Sequence, residues 1–139
     1  MDTLFRIHGE VRWLILIVAA ITVIYLVTRW LQKKPYDQRA TFLTTLFGVT
    51  LDIQMLLGLI YFVWSGIDWD YWPRQRFEHL AVMFVAVGIA HMPRRWQTQA
   101  DTVRYRNAIA VIIAVLVLIV VGILLLPGGS SSYRWDFGD

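Results

Sequence analysis

The sequence predicts an all-α fold: a four-helix transmembrane bundle with its N-terminus and C-terminus both outside the cytoplasm. Three observations carry this prediction. First, 58% of the 139 residues are hydrophobic and 17% charged, with a mean hydropathy of +0.55. A soluble domain this small has too little interior to hide that much apolar surface. Second, the apolar residues form four continuous stretches instead of alternating with polar ones, which favours helices over the strands of a membrane β-barrel. Third, the basic residues gather in two connectors. One holds Arg29, Lys33, Lys34 and Arg39, the other Arg94, Arg95, Arg104 and Arg106, together eight of thirteen. Short cytoplasmic loops concentrate Lys and Arg, so the opposite ends of the helices, and both termini, face outward.

A helix rises about 1.5 Å per residue, so roughly 20 apolar residues cross a hydrocarbon core of about 30 Å. The first span, about 4–28, contains WLILIVAAITVIYLVT, and the second, about 41–64, reads mostly FLTTLFGVTLDIQMLLGLIYFVW. The third, about 76–92, reaches spanning length by starting near Arg76 and stopping before Pro93. The fourth, about 107–126, is uncharged after Arg106 and contributes no polar side chain beyond Asn107. It is therefore expected to face lipid or a partner and to supply no ligand. All four prolines, Pro35, Pro73, Pro93 and Pro127, fall at helix ends or in connectors. The seven tryptophans sit near the expected interfaces. Residues 127–139 form a short extracytoplasmic tail, and the whole chain, 1–139, is one membrane domain. Asp2 and Glu10 are unlike the positive start of a cleavable signal peptide. The expected location is a bacterial inner membrane.

With no cysteine there is no disulfide, iron–sulfur cluster or covalently attached c-type haem. No phosphate-binding glycine loop, nucleophile elbow or H-E-x-x-H motif is present, and nothing points to nucleic acid as a partner. The polar groups at membrane depth are few: His8, Thr22, Tyr25, Thr44, Thr45, Thr50, Asp52, Gln54, His79 and His91. An ionisable group there is costly and marks a candidate site. Asp52 lies roughly 15 Å along its helix from the cytoplasmic end and is expected to face the bundle, protonated or paired. His91 falls at a comparable depth on the neighbouring helix and is its expected partner, in a polar pair that is structural or handles a proton.

His79 and His91 are separated by about 18 Å of rise and about 120° of rotation, so they serve different levels. His8, in contrast, lies at the same end of the bundle as His79. Two imidazoles facing each other across a four-helix bundle make the common axial ligation of a b-type haem. Arg12 and Arg76 share the helix faces of His8 and His79 and suit the propionates. Gly9, Gly48, Gly58 and Gly88 leave room for a ring or a neighbouring helix. The alternative reading of His8 and His79 is that both rest in the wet interface.

These residues also carry a resemblance. H-x-x-x-R-W at His8, Arg12 and Trp13, D-I-Q-x-x-L-G-L from Asp52 to Leu59, R-x-E-H at Arg76, Glu78 and His79, and A-H at Ala90 and His91 resemble a family of small four-helix bacterial membrane proteins labelled cytochrome b-like. The resemblance covers all four spans and implies haem b bound by histidines, here His8 and His79. Some relatives carry histidine at the position of Asp52, so a two-haem arrangement is not implied for this chain. Glu78-His79 and Val87-x-x-x-His91, followed by Arg94, Arg95 and Trp96, are also similar to light-harvesting β-chains, which would make bacteriochlorophyll on His91 the alternative cofactor. The expected function is membrane electron transfer by haem b, as a small subunit of a respiratory or photosynthetic complex and with no enzymatic activity of its own. The rivals are a cofactor-free structural or assembly subunit and a pigment-binding subunit. Lipid, other membrane subunits or further copies of the chain are the expected partners.

Overall fold

The computed structural model describes residues 2–70 and 72–126. Four α-helices are present among them: α1, Asp2–Leu31; α2, Gln38–Trp69; α3, Arg74–Ala90; and α4, Asp101–Leu124. A single 3₁₀ turn, Met92–Trp96, follows α3. Each helix packs on its neighbours in chain order, and α4 closes the ring against α1, leaving α1 opposite α3 and α2 opposite α4. The tail from residue 127 onward, and its expected outward placement, lie outside the described residues.

Three of the helices, α1, α2 and α4, are long and apolar enough to cross a membrane. At 17 residues α3 is the short member, rising about 25 Å against about 48 Å for the 32 residues of α2. All four expected helices are present, with shifted ends: α3 lies two residues earlier than expected, α4 starts six residues earlier and stops two residues earlier, and α1 and α2 extend past their apolar cores at both ends. Charged and polar residues continue these helices because nothing before Lys33 or Asp70 breaks them.

The α1–α2 connector is built from local chemistry. Lys33 takes a left-handed φ of 55°, and the Lys34 and Lys33 N–H groups donate back to the carbonyls of Arg29 and Trp30, satisfying the end of α1. Pro35 then forbids helix, and Asp37 caps α2 by accepting from the Ala40 N–H at 2.9 Å. The other Asp37 oxygen accepts from the Tyr25 hydroxyl at 2.7 Å and pairs with Arg29 at 3.1 Å. Tyr105, fully buried on α4, donates to the Pro35 carbonyl at 2.9 Å. One connector thereby ties α1, α2 and α4 together.

The core is aliphatic where the helices cross, with Ile15, Leu26, Phe47, Ile112 and Val115 nearly inaccessible. Small residues stand at the closest approaches, Ala19, Ala40, Ala86, Ala90 and Ala108 being buried. Many large apolar side chains point outward, Ile24, Ile67 and Phe42 among them, as a hydrocarbon solvent permits. The structure corrects the expectation for the fourth helix. Uniform apolarity does not place α4 on the periphery; it buries Tyr105, Ala108, Val111, Ile112, Val115, Ile119 and Gly122 against α3 and α1. Its opposite face, with Ile113, Val117 and Val120, is exposed. In lipid both faces of a helix are apolar, so composition does not tell a buried face from an exposed one.

Candidate functional site

A cavity of about 340 Å³ opens between all four helices at the end where the chain begins, within the range of about 300–1,000 Å³ typical of small-molecule sites. His8, Arg12, Arg76 and His79 all line it. The two histidines come from α1 and α3, the diagonal pair, so they approach the space from opposite sides. Most of the remaining lining is aliphatic, aromatic or methionine. Phe62 packs edge-on against Phe77 and Trp72 at 5.1 and 5.3 Å between ring centres, and Phe5 leans on Tyr61 at 5.3 Å. Of these rings, Phe5, Tyr61 and Phe62 line the cavity.

His79 is held by α4. Its Nδ1 lies 2.7 Å from the carbonyl oxygen of Gly122. A carbonyl can only accept, so Nδ1 carries the hydrogen and Nε2 of the neutral ring keeps its lone pair. A backbone carbonyl on one nitrogen is the usual support for a metal-ligating imidazole. Gly122 eases this approach, because a Cβ there would displace the Met83 methyl and come within 3.3 Å of His79 Nδ1. The expectation that α4 supplies no side-chain ligand is compatible with this contact, but the helix does contribute a backbone group. The one signal in the sequence was a lone glycine within the branched run VLIVVGILLL.

His8 is seated differently. Its ring covers Gly58 of α2, where a Cβ would sit 2.8 Å from Cε1. Gln54 Nε2 donates to the His8 carbonyl at 2.8 Å and lies 3.4 Å from His8 Nε2. Nδ1 of His8 and Oε1 of Gln54 are buried without a hydrogen-bond partner among the described residues. Buried polar atoms left in this way are destabilising by about 1–3 kcal/mol each. Gln54 was legible in the sequence as a polar residue at membrane depth, but its contact with His8 was not.

Arg76 Nη1 donates to Ser65 at 2.8 Å, and its guanidinium lies over Tyr61 and Trp69 at 5.7 and 5.6 Å. Arg12 lies 5.6 Å over the Trp13 ring. Both cations thus stand at the cavity with their planes supported by aromatic faces. The donor set suits a haem: two imidazoles across a largely apolar space, one with a fixed tautomer, and two guanidiniums beside them. A haem iron needs one or two axial ligands, so the absence of any cluster of three or more metal-binding side chains among the described residues bears on other kinds of metal site.

The second polar pair is separate from the cavity. His91, just past the end of α3, places Nε2 2.9 Å from Oδ1 of Asp52. Its ring covers Gly48, with Cε1 3.1 Å from where a Cβ would be. Asp52 was expected to face the bundle interior; its side chain is instead 46% accessible and that of His91 33%, on the rim of the bundle. Because α3 is short, its end meets α2 partway along, which brings the two residues to one level. Each histidine therefore packs on a glycine of another helix, at Gly58, Gly122 and Gly48. Gly9, also expected to make room, lines the cavity with nothing within 4 Å of where a Cβ would be, and Gly88 likewise faces open space.

No protein-family model, curated protein or solved structure matches this chain.

Proposed function

We propose that the chain crosses a bacterial inner membrane four times, α3 included, with both termini outside the cytoplasm, and that the cavity holds a haem b between His8 and His79. The protein would then be an electron carrier, acting as a small subunit of a larger respiratory or photosynthetic assembly. The observation that carries this reading is the pair of histidines from diagonal helices opening on one cavity, with the Nδ1–H of His79 committed to Gly122. When bound, the haem supplies reversible one-electron transfer. The protein's own residues do the rest. The Gly122 carbonyl orients the His79 ring. The aliphatic wall excludes water, and Arg12 and Arg76 offset the negative charge of the propionates. Asp52 and His91 would form a separate polar pair that stiffens the bundle or holds a proton.

The test is the visible spectrum of the purified full chain in mild detergent, oxidised and then dithionite-reduced, with pigment extraction alongside. The expected result is a Soret band with sharp reduced α and β bands, lost in His79→Ala. A far-red band would replace haem by bacteriochlorophyll. A colourless protein, purified without stripping conditions, would end the cytochrome reading and leave a structural subunit.

A further inference from the structure

We propose that the basic end of the bundle, opposite the large cavity, carries a site for the phosphate of an anionic phospholipid. It lies in the notch left where α3 stops short. The chain turns there through Met92–Trp96 before α4 begins, while α2 continues alongside. A second, small cavity of about 30 Å³ opens between these elements, and Tyr36, Thr41, Thr45, His91, Arg94 and Arg104 are among the residues that line it. No Asp or Glu lines it. Of the nearby carboxylates, Asp37 is paired with Arg29 and Tyr25, while Asp52 reaches the edge of the notch through His91, which lines it.

The two guanidiniums differ in a way that suits an oxyanion. Arg104 is held in place, 4.0 Å over the Tyr36 ring and 3.5 Å from the Thr41 hydroxyl. The side chain of Arg94 is exposed and makes no hydrogen bond or ion pair with the described residues. A tetrahedral phosphate between them would accept charge-assisted hydrogen bonds from both, and hydroxyl donors line the same space. Basic pockets between membrane helices hold lipid headgroups for this reason.

The surroundings favour a lipid over a free phosphate. The small cavity admits little more than the phosphate group, so the rest of the molecule must lie outside it. Thr45, Val49, Ile53, Leu56 and Ile60 are exposed on one face of α2, at the three- and four-residue spacing that makes a stripe, and the one charge on that stripe, Asp52, is paired with His91. An acyl chain lying along that stripe puts its headgroup at the notch. The proposal rests on the membrane-spanning helices and is independent of the haem reading.

The experiment uses the purified, delipidated full chain in mild detergent, with retained lipid read by mass spectrometry of the intact complex. Phosphatidylglycerol is titrated against phosphatidylcholine, with inorganic phosphate as competitor. Retention of phosphatidylglycerol in preference to phosphatidylcholine is expected. Arg94→Gln should weaken it about five- to tenfold, and Arg95→Gln, an equal charge change at an exposed residue outside the notch, should leave it unchanged. Arg94 supports no other contact, so its variant keeps the fold where Arg104→Gln would disturb Tyr36. Equal retention of the two lipids would overturn the site. So would equal losses in Arg94→Gln and Arg95→Gln, which would indicate diffuse attraction to a basic surface. Displacement by inorganic phosphate at concentrations matching the lipid would assign the notch to a free oxyanion.

Discussion

The two ends of this bundle solve opposite problems with similar residues. At the end where the chain begins, residues of all four helices line a large cavity, and His8 and Gln54 hold buried polar atoms with no partner among the described residues. At the basic end, Tyr25, Arg29, Pro35, Asp37 and Tyr105 are bound to one another across three helices, and of these groups only Arg29 Nε is buried without a partner. A protein that needed only to hold its helices together would build both ends like the second. The first end gives up packing and polar satisfaction for space, which is the arrangement expected where something else completes the site.

The most disruptive way to test that contrast is to fill the space. Gly122→Leu would drive a branched side chain into Met83 and His79 and remove the geometry that fixes the imidazole. Thermal unfolding in detergent should show a loss of about 2–3 kcal/mol, accompanied by loss of any haem bands. An unchanged spectrum in a folded variant would mean that the Gly122 contact is not part of the site.

The opposite end should respond through stability alone. Asp37→Ala removes the cap of α2, the Tyr25 bond and the Arg29 pair together, and should cost about 2 kcal/mol while leaving the spectrum intact. A change in the spectrum would show that the two ends are coupled.

Acid sharpens the same point. Burial acts to raise the Asp37 carboxyl, but bonds from Tyr25 and the Ala40 N–H, with Arg29 and Arg39 nearby, outweigh it and hold the group below its ordinary 3.8. Because the folded state favours the carboxylate, this contribution is fully present above 3.8 and is lost as pH falls through the lower folded value. Unfolding midpoints between about pH 5 and 3 should therefore fall more steeply for the native chain than for Asp37→Asn. Parallel curves would show that Asp37 contributes no proton-linked stability.

The smallest effect is expected at Asp52 and His91. Their side chains are partly exposed, and polar pairs in membrane bundles contribute about 0.6 kcal/mol on average. A double-mutant cycle of Asp52→Asn and His91→Gln should return a coupling below about 1 kcal/mol. A much larger coupling would mean that the pair is shielded from its surroundings and carries more than local structure.

Much of this site was legible before any coordinates. His8, His79, Arg12 and Arg76 stand out because histidine and arginine are expensive at membrane depth, and their positions along helices of known rise put them at one end. The Asp52 and His91 contact was anticipated by the same arithmetic of depth. What escaped was the support. Gln54 reaches His8 across a helix interface, and Gly122 offers a backbone carbonyl, which no sequence pattern distinguishes from any other. The notch at Arg94 and Arg104 was equally hidden, since it exists only because α3 ends before its neighbours and the chain turns under it.

Sequence by itself determined the apolar character of the long helices, the helical state and the helix boundaries to within about two turns, because those depend on local composition, rise per residue and the placement of prolines and capping groups. It also determined which side chains were candidates, through the cost of burying charge. Tertiary structure decided which face of each helix turned inward. It made α4 a core member, set Asp52 on the rim and chose the glycine on which each histidine rests. In an apolar solvent, hydrophobicity no longer separates inside from outside, so those choices pass to shape: where a small residue lets a neighbour approach, and where a short helix leaves a gap.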